Sequence, residues 1–357
     1  MPRVFVYEFT TGGGLLALNH EAPMTELLAE GRAMVAALTA DFAAIGQLEV
    51  TFLADRRLIA WQGATGRTLV VGHRDEAKAA FDRLTAEADW TVVIAPETDG
   101  HLVGYCRRVV ELGGRLLGPS PELVALASDK QATAEHLAAA GVRVPRGMAW
   151  PLGPLWPRDF PYPAIWKPRD GAGSRGLRYI ACPEPSHTQR ELHRSVTTDT
   201  RLRRMAPEGR LERYCPGLPA SVAVLCGPKR WTTLPPCRQA ISDDGHFRYQ
   251  GGSFPLEPAL AERATRLANE AVASLPQPLG YLGVDLILGP DGDADFVIEI
   301  NPRLTTSYIG LRAACEGNLA EAMLAIAQGQ APAVHFRNEP VRFSAEGMVV
   351  CNGPLQG

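Results

Sequence analysis

Lysine is nearly missing from this chain: of its 36 lysine and arginine residues only Lys78, Lys130, Lys167 and Lys229 are lysine. Other absences narrow the reading further. No apolar run approaches the ~18 consecutive residues of a membrane span, so no membrane partner is expected. No long run of like charge accompanies the net charge of -3, which leaves no electrostatic reason for a nucleic-acid partner. The seven cysteines (Cys106, Cys182, Cys215, Cys226, Cys237, Cys315, Cys351) are odd in number and never spaced as CxxC. They argue against a disulfide framework or a zinc site, and for reduced thiols in a cytoplasm. No basic segment leads an apolar one before the strand at Arg3–Tyr7, so no signal peptide is expected. Internal repeats and low-complexity tracts are also absent.

What is present fits two or three soluble domains: 357 residues, 46% apolar and 21% charged. The first third alternates strands (Val4–Phe9, Leu48–Leu53, Thr68–Val71, Trp90–Ala95, Arg115–Leu117) with helices (Thr25–Leu38, Asp75–Leu84, Gly100–Leu112). That alternation predicts a parallel, doubly wound sheet, with Thr11–Gly14 and Glu97–Gly100 as candidate ligand loops at strand ends. Pro119-Ser120-Pro121 then breaks the chain, and a helix capped by Ser128 runs to Gly141. Short strands follow at Ala164–Lys167, Leu177–Ala181, Arg210–Tyr214, Ser221–Leu225, Trp231–Thr233, Gln239–Ser242 and Phe247–Tyr249. A helix with Leu260, Ala264, Leu267, Ala271 and Leu275 on one face precedes a β pair, Leu282–Leu288 and Asp295–Ile300.

Three constellations carry chemistry. In Phe296-Val297-Ile298-Glu299-Ile300-Asn301-Pro302-Arg303, alternation puts Glu299 and Asn301 on one face while Ile298 and Ile300 point into the core. Asp285 on the partner strand can face the same way. Such an oxygen-only set suits Mg²⁺ shared with substrate phosphates; otherwise these are solvated residues on an exposed sheet face. The second is Lys167-Pro168-Arg169-Asp170-Gly171-Ala172-Gly173-Ser174-Arg175-Gly176, whose small residues let backbone N–H groups curl around a phosphate. It matches GxGxxG, but a strand rather than a helix follows, against a dinucleotide fingerprint. Gly12-Gly13-Gly14-Leu15-Leu16-Ala17 is a second such candidate, interrupted by Pro23. The third is Leu211-Glu212-Arg213-Tyr214-Cys215-Pro216-Gly217, a strand leaving through a turn, where a carboxylate and free backbone groups could read an adenine. In a chain that writes arginine nearly everywhere, Lys130 and Lys167 stand where a compact ammonium suits a phosphate.

In this order the pieces resemble the ATP-grasp superfamily over about 119–330. The resemblance implies an α+β ATP-grasp fold: an N-terminal α/β domain (1–118), a central lobe with a glycine-loop lid (119–209) and a C-terminal lobe with the metal site (210–357). It implies that Lys130 and Lys167 contact ATP phosphates, with Gly171, Gly173 and Ser174 around them, and that Glu212, Arg213 and Tyr214 read the adenine. Asp285, Glu299 and Asn301 would hold Mg²⁺ (or Mn²⁺), and Arg303 the activated carboxylate. The ribose-binding acid usual past the hinge is replaced by Leu218-Pro219-Ala220.

A narrower set looks like the tyramine–glutamate ligase group of methanofuran-type coenzyme biosynthesis. It comprises Val6–Gly14, Leu27–Met34, Ala95–Gly100 and Asn301–Gly310. That resemblance implies small-molecule partners, a carboxylate such as the γ-carboxylate of L-glutamate and an amine such as tyramine or tyrosine, and admits a homodimer. Glu8, Glu97 or Asp99 would hold the ammonium, Tyr308 would contact the ring, and Gly13 and Thr305 would be further substrate-site residues. Addition of an amino acid to a pterin or peptide, and a nicotinamide-dependent oxidoreductase, are the rival readings.

Overall fold

Alternation along the first strand decides how the N-terminal sheet is covered. In β1 (Arg3–Glu8), Val4 and Val6 face one way and Phe5 and Tyr7 the other, all four buried. The computed structural model describes residues 1–18, 25–58, 63–152, 156–171, 176–183 and 208–351. In it β1 pairs in parallel with β2 (Glu49–Asp55) and β4 (Trp90–Ile94), and β2 with β3 (Arg67–Val71), in the order β3-β2-β1-β4. Helix α1 (Thr25–Ala43) packs Met34, Leu38 and Phe42 on the Val4/Val6 face. Helices α2 (Arg74–Glu87) and α3 (His101–Glu111) pack Phe81, Leu84, Leu102 and Val109 on the other. This is the doubly wound arrangement, covered on both faces as parallel sheets require. The expected strand at Arg115–Leu117 is a single parallel bridge, Leu116 to Thr91; Gly113-Gly114 and Gly118-Pro119 turn the chain on either side of it.

Two helices, not one, follow. Ser120 Oγ accepts from Leu123 N and starts α4 (Pro121–Ser128). Asp129, rather than Ser128, caps α5 (Lys130–Ala139), accepting from Gln131 N and Ala132 N. The Ser128 hydroxyl instead donates back to Val124 O, closing the earlier helix. A carboxylate is the stronger cap where both are adjacent, because it also complements the helix dipole.

The central sheet is antiparallel, β5 (Gly147–Pro151), β8 (Glu208–Arg213), β6 (Ala164–Pro168) and β7 (Arg178–Ile180) in that spatial order. Trp166, Leu211 and Ile180 fill its small core. The expected domain boundary at 209/210 falls inside β8, whose residues pair with β5 and β6 on both sides of it. The crossing to the last sheet is therefore at Tyr214–Gly217.

That last sheet is antiparallel, in the order β14 (Phe296–Asn301), β13 (Gly280–Leu288), β9 (Leu218–Cys226), β11 (Cys237–Ile241), β12 (Tyr249–Phe254), β15 (Val341–Ser344), β16 (Val349–Cys351), with β10 (Trp231–Thr233) on β9. β12 begins at Tyr249 rather than ending there, since Phe247 sits at φ 53, just past the turn at 243–246. One face buries Val222, Val224, Leu282 and Val284 against α6 (Pro258–Ser274), α4 and α5. On the opposite face, Ala223, Leu225 and Tyr281 join a core shared with α1, α7 (Ser307–Ala314) and α8 (Leu319–Ala327). The rest of that face carries Pro219, Ser221, Asp285 and Ile287, which floor a cleft. Among the described residues no helix is long and apolar enough to cross a membrane.

Candidate active site

A cavity of about 270 Å³ opens over that floor, walled by β6, the start of the glycine loop, the hinge and the first turn of α7. Lys130 enters it because Asp129 fixes the start of α5 twice over: it caps the helix and pairs with Arg169, while Lys130 N donates to Arg169 O at 2.9 Å. The Lys130 ammonium donates to Gly171 O at 2.8 Å and to Glu299 Oε1 at 2.9 Å. Burial alone would pull it down, but Glu299, with Glu97 and Asp170 behind it, raises it above its ordinary value. It stays charged.

Lys167, 3% exposed on β6, is held by Glu212 Oε1 at 2.8 Å and Ile298 O at 3.3 Å. Glu212 in turn accepts from Arg210 Nε at 3.0 Å, and Arg210 is anchored on Gln131 Oε1 and Pro145 O. Charges this deep survive only in such closed sets. Glu212 thus lines the cleft with its carboxylate engaged by Lys167 and Arg210, not free to read a base. The Arg213 and Tyr214 N–H groups are engaged as well, on Arg146 O and Pro163 O. What the hinge offers a base from these two residues is their carbonyls. The Tyr214 ring lies 5.6 Å from Tyr179 and 6.5 Å from Phe247.

On the floor, Asp285 sits directly opposite Glu299, and Gly283 opposite Asn301. Asn301 Nδ2 and Gln239 Nε2 each donate to Asp285 at 3.0 Å. Burial and the neighbouring Glu299 push the Asp285 carboxyl up to about 7, against the opposing pull of Asn301 and Arg303. Ile298, expected in the core, instead lines the cleft. A bulge explains this: the register jumps from Asp285–Glu299 to Leu286–Val297, so Val297 takes the core position.

Arg303 lines the cleft too. Glu97 grips it through two bonds, 2.8 and 3.1 Å, and raises it despite burial. Glu97 therefore balances Arg303 and does not receive an ammonium. The other amine-holding candidates fail for similar reasons. Glu8 accepts from the backbone and hydroxyl groups of Thr10 and Thr11, which fixes that turn. Gly13, at φ 94, faces Val71 and Ala77. Asp99 is exposed, outside the cleft wall, and meets Asp170 through its N–H. Tyr308 is fully buried, its hydroxyl 2.6 Å from Asp41, and cannot touch a ligand ring. Tyr308→Phe is accordingly expected to lower unfolding free energy by about 1.5 to 3 kcal/mol and leave the KM for ATP unchanged; denaturant titration and steady-state kinetics check both. Thr305 does line the cleft. Gly173 and Ser174, and with them the lid, lie outside the described residues; Gly171 is on the wall.

A family model described as the ATP-grasp domain matches residues 127–307, and one described as the pre ATP-grasp 3 domain matches 48–124. The chain belongs to the ATP-grasp family. Among curated proteins, a tyramine–L-glutamate ligase of Methanocaldococcus fervens is 31% identical over 137 residues, 38% of this chain and 41% of that protein. The chain thus matches well under half the length of that relative. Among solved structures, an ATP-grasp superfamily protein of Archaeoglobus fulgidus superposes with TM-score 0.69 at 22% identity, covering 96% of this chain and 92% of that one. The biotin carboxylase domain dimer of Hydrogenobacter thermophilus 2-oxoglutarate carboxylase, solved with ADP magnesium salt and bicarbonate, gives 0.67 at 16%, covering 95% and 73%.

The donor set fits the ion that an ATP-grasp fold implies. Among the described residues no group of three or more His, Cys, Asp or Glu could hold a metal. Asp285, Glu299 and Asn301 offer two carboxylates and an amide, too few for a self-sufficient centre but suited to Mg²⁺ completed by phosphate oxygens and water. A carboxyl raised by burial and by a like-charged neighbour is also what a cation relieves.

The ATP-grasp cleft has walls that the sequence reading did not assign as site residues, although four of them lie in segments it singled out, Leu27–Met34 and Asn301–Gly310. Tyr249, Gln239, Thr306 and Ser307 line it, as do Glu30 and Met34 of α1. For Glu30 a signal existed: it shares the i, i+4, i+8 row with buried Met34 and Leu38, an acid on an apolar stripe.

Proposed function

We propose that this chain is an ATP-dependent carboxylate–amine ligase. The observation that carries the reading is the convergence of Lys130, Lys167, Asp285, Glu299, Asn301 and Arg303 on one cleft of an ATP-grasp fold. In this reading Lys130 and Lys167 take the triphosphate as compact charges, each already held in place by a carboxylate. Asp285, Glu299 and Asn301 would hold magnesium, which would offset charge on the transferred phosphoryl group. Arg303, balanced by Glu97, faces the activated carboxylate and stabilises the oxyanion formed when the amine adds. Glu212 positions Lys167, and the carbonyls of the hinge face the base.

The substrate pair we propose is L-glutamate, activated on its γ-carboxylate, and tyramine or tyrosine, on the partial identity to the tyramine–L-glutamate ligase. Amino-acid addition to a pterin or peptide is the second reading. The oxidoreductase reading loses its motif, because Gly14 opens a short 3₁₀ turn, Gly14–Leu18, rather than an α-helix. A cytoplasmic location and a homodimer complete the proposal; light scattering tests the latter.

Incubation with ATP, Mg²⁺, L-glutamate and tyramine should give ADP and a γ-glutamyl amide detected by mass spectrometry. Product from other amines, with none from tyramine or tyrosine, would keep the ligase and discard the pair. Absence of ADP release with any amine and carboxylate rejects the ligase.

A further inference from the structure

A bulky side chain on a left-handed backbone is strained, because its Cβ crowds the neighbouring carbonyl, and it persists only where its surroundings impose it. Phe247 is such a residue, at φ 53. The other described residues in that region, glycine aside, are Gln47, Asp99 and Gln277, all with polar side chains. What imposes the conformation is the connection between β11 and β12. Ser242 N donates to Arg248 O and Arg248 N to Ser242 Oγ, both at 2.9 Å, which closes the loop at its base. Asp244 accepts from His246 N at 3.0 Å and pairs with the Arg248 guanidinium. The residues on either side of Phe247 are thus tied. The hairpin is also bent just before this loop: Ala240 stands opposite Gly251 but Ile241 opposite Tyr249, so Gln250 is an extra residue on β12. Such a bulge re-aims the end of a hairpin.

The strained residue is aimed at the cleft. Phe247 lines it, together with Ile241 of the same hairpin and Ile287 of the floor. Its ring centroid lies 6.5 Å from that of Tyr214, and Tyr214 lies 5.6 Å from Tyr179, edge to face. The three rings form a row that starts on the central sheet, crosses the hinge and ends on the last sheet. Tyr214 belongs to the hinge itself, so these distances place Phe247 at the hinge end of the cleft. There the wall is aromatic and aliphatic, and the Arg213 and Tyr214 N–H groups are already engaged, which leaves their carbonyls. That combination suits a planar heteroaromatic ring, whose faces rest on apolar groups while an edge amine donates to a carbonyl. Rings and carbonyls offer nothing to a phosphate, for which the two lysines stand.

We propose that Phe247 is a specificity residue of the nucleotide site, packing its ring on the nucleoside of ATP at the hinge. The strained backbone is what brings the ring there, from the far lobe, across from Tyr214. This rests on the reading of the chain as an ATP-dependent ligase.

Calorimetry in the absence of other substrates compares MgATP with magnesium tripolyphosphate, which has the phosphate chain and no nucleoside. Wild type should prefer MgATP by about 10-fold or more. Phe247→Asn removes the ring but suits a left-handed backbone, so the loop should keep its shape. It should cut the preference by about 5- to 100-fold while the tripolyphosphate affinity stays within about twofold. Phe247→Tyr keeps the ring and should keep the preference. A preference unchanged in Phe247→Asn overturns the proposal. So does an equal loss of affinity for both ligands, since Phe247 would then only shape the loop, and so does a loss in Phe247→Tyr as large as in Phe247→Asn. Wild type that binds tripolyphosphate as tightly as MgATP overturns it as well. Failure of wild type to bind MgATP at all would reject the ATP site and the ligase reading with it, whereas the other outcomes leave that reading standing.

Discussion

Glu299→Gln should leave a folded protein whose ADP release is lower by about 100-fold or more. The substitution keeps the volume and one oxygen but removes a charge with two jobs. Glu299 is one of two carboxylates available to a magnesium ion, and it is also the partner that holds the Lys130 ammonium at 2.9 Å. Without it, Lys130 keeps Gly171 O but loses the carboxylate that raises it, in a site where burial favours the neutral amine. The loss should therefore show in both the Mg²⁺ concentration needed for half-maximal rate and the KM for ATP. Circular dichroism and ADP release against Mg²⁺ concentration check this. A folded variant with near-normal release at ordinary Mg²⁺ sinks the metal assignment.

The contrast between Glu299 and Glu97 shows what a sequence can and cannot reveal. Glu299, Asn301 and Asp285 were legible because strand alternation is local: two residues on one strand and one across a short turn fix a shared face. The same rule misplaced Ile298, because a bulge resets alternation without leaving a mark in the residue types. Lys130 and Lys167 were legible through the scarcity of lysine elsewhere. Glu97 was singled out as a loop acid at a strand end, which is correct for its position. Its partner Arg303 is 206 residues away, however, and only folding shows that the pair is closed. Glu8 is a related case at short range, since four polar groups of Thr10 and Thr11 saturate it, a turn chemistry that the residue types permit but do not compel. Tyr308 was misplaced because which side of a helix meets the cleft depends on how α1 and α7 pack, and there Asp41 reaches Tyr308 and Arg312. The parallel, doubly wound character of the N-terminal sheet, by contrast, follows from apolar strands alternating with helices, and was legible without any such contact.

Lys167→Arg should reduce kcat/KM for ATP by about 10- to 100-fold although it conserves the charge. Lys167 is 3% exposed, and its single nitrogen fits between Glu212 Oε1 and Ile298 O. A guanidinium is larger and planar and brings five donors in a fixed fork. Beside it Arg210 already occupies the other oxygen of Glu212, so a second fork would face that guanidinium at close range. Either the new side chain displaces Arg210 from Gln131 and Pro145, or it turns out into the space the phosphates need. Both outcomes raise the KM for ATP, and the first also lowers thermal stability, so a melting curve tells them apart. Lys229→Arg is the control: Lys229 is exposed, at the turn between β9 and β10, and should be silent in both measurements. Equal effects of the two substitutions would mean that the scarcity of lysine in this chain carries no information about its nucleotide site.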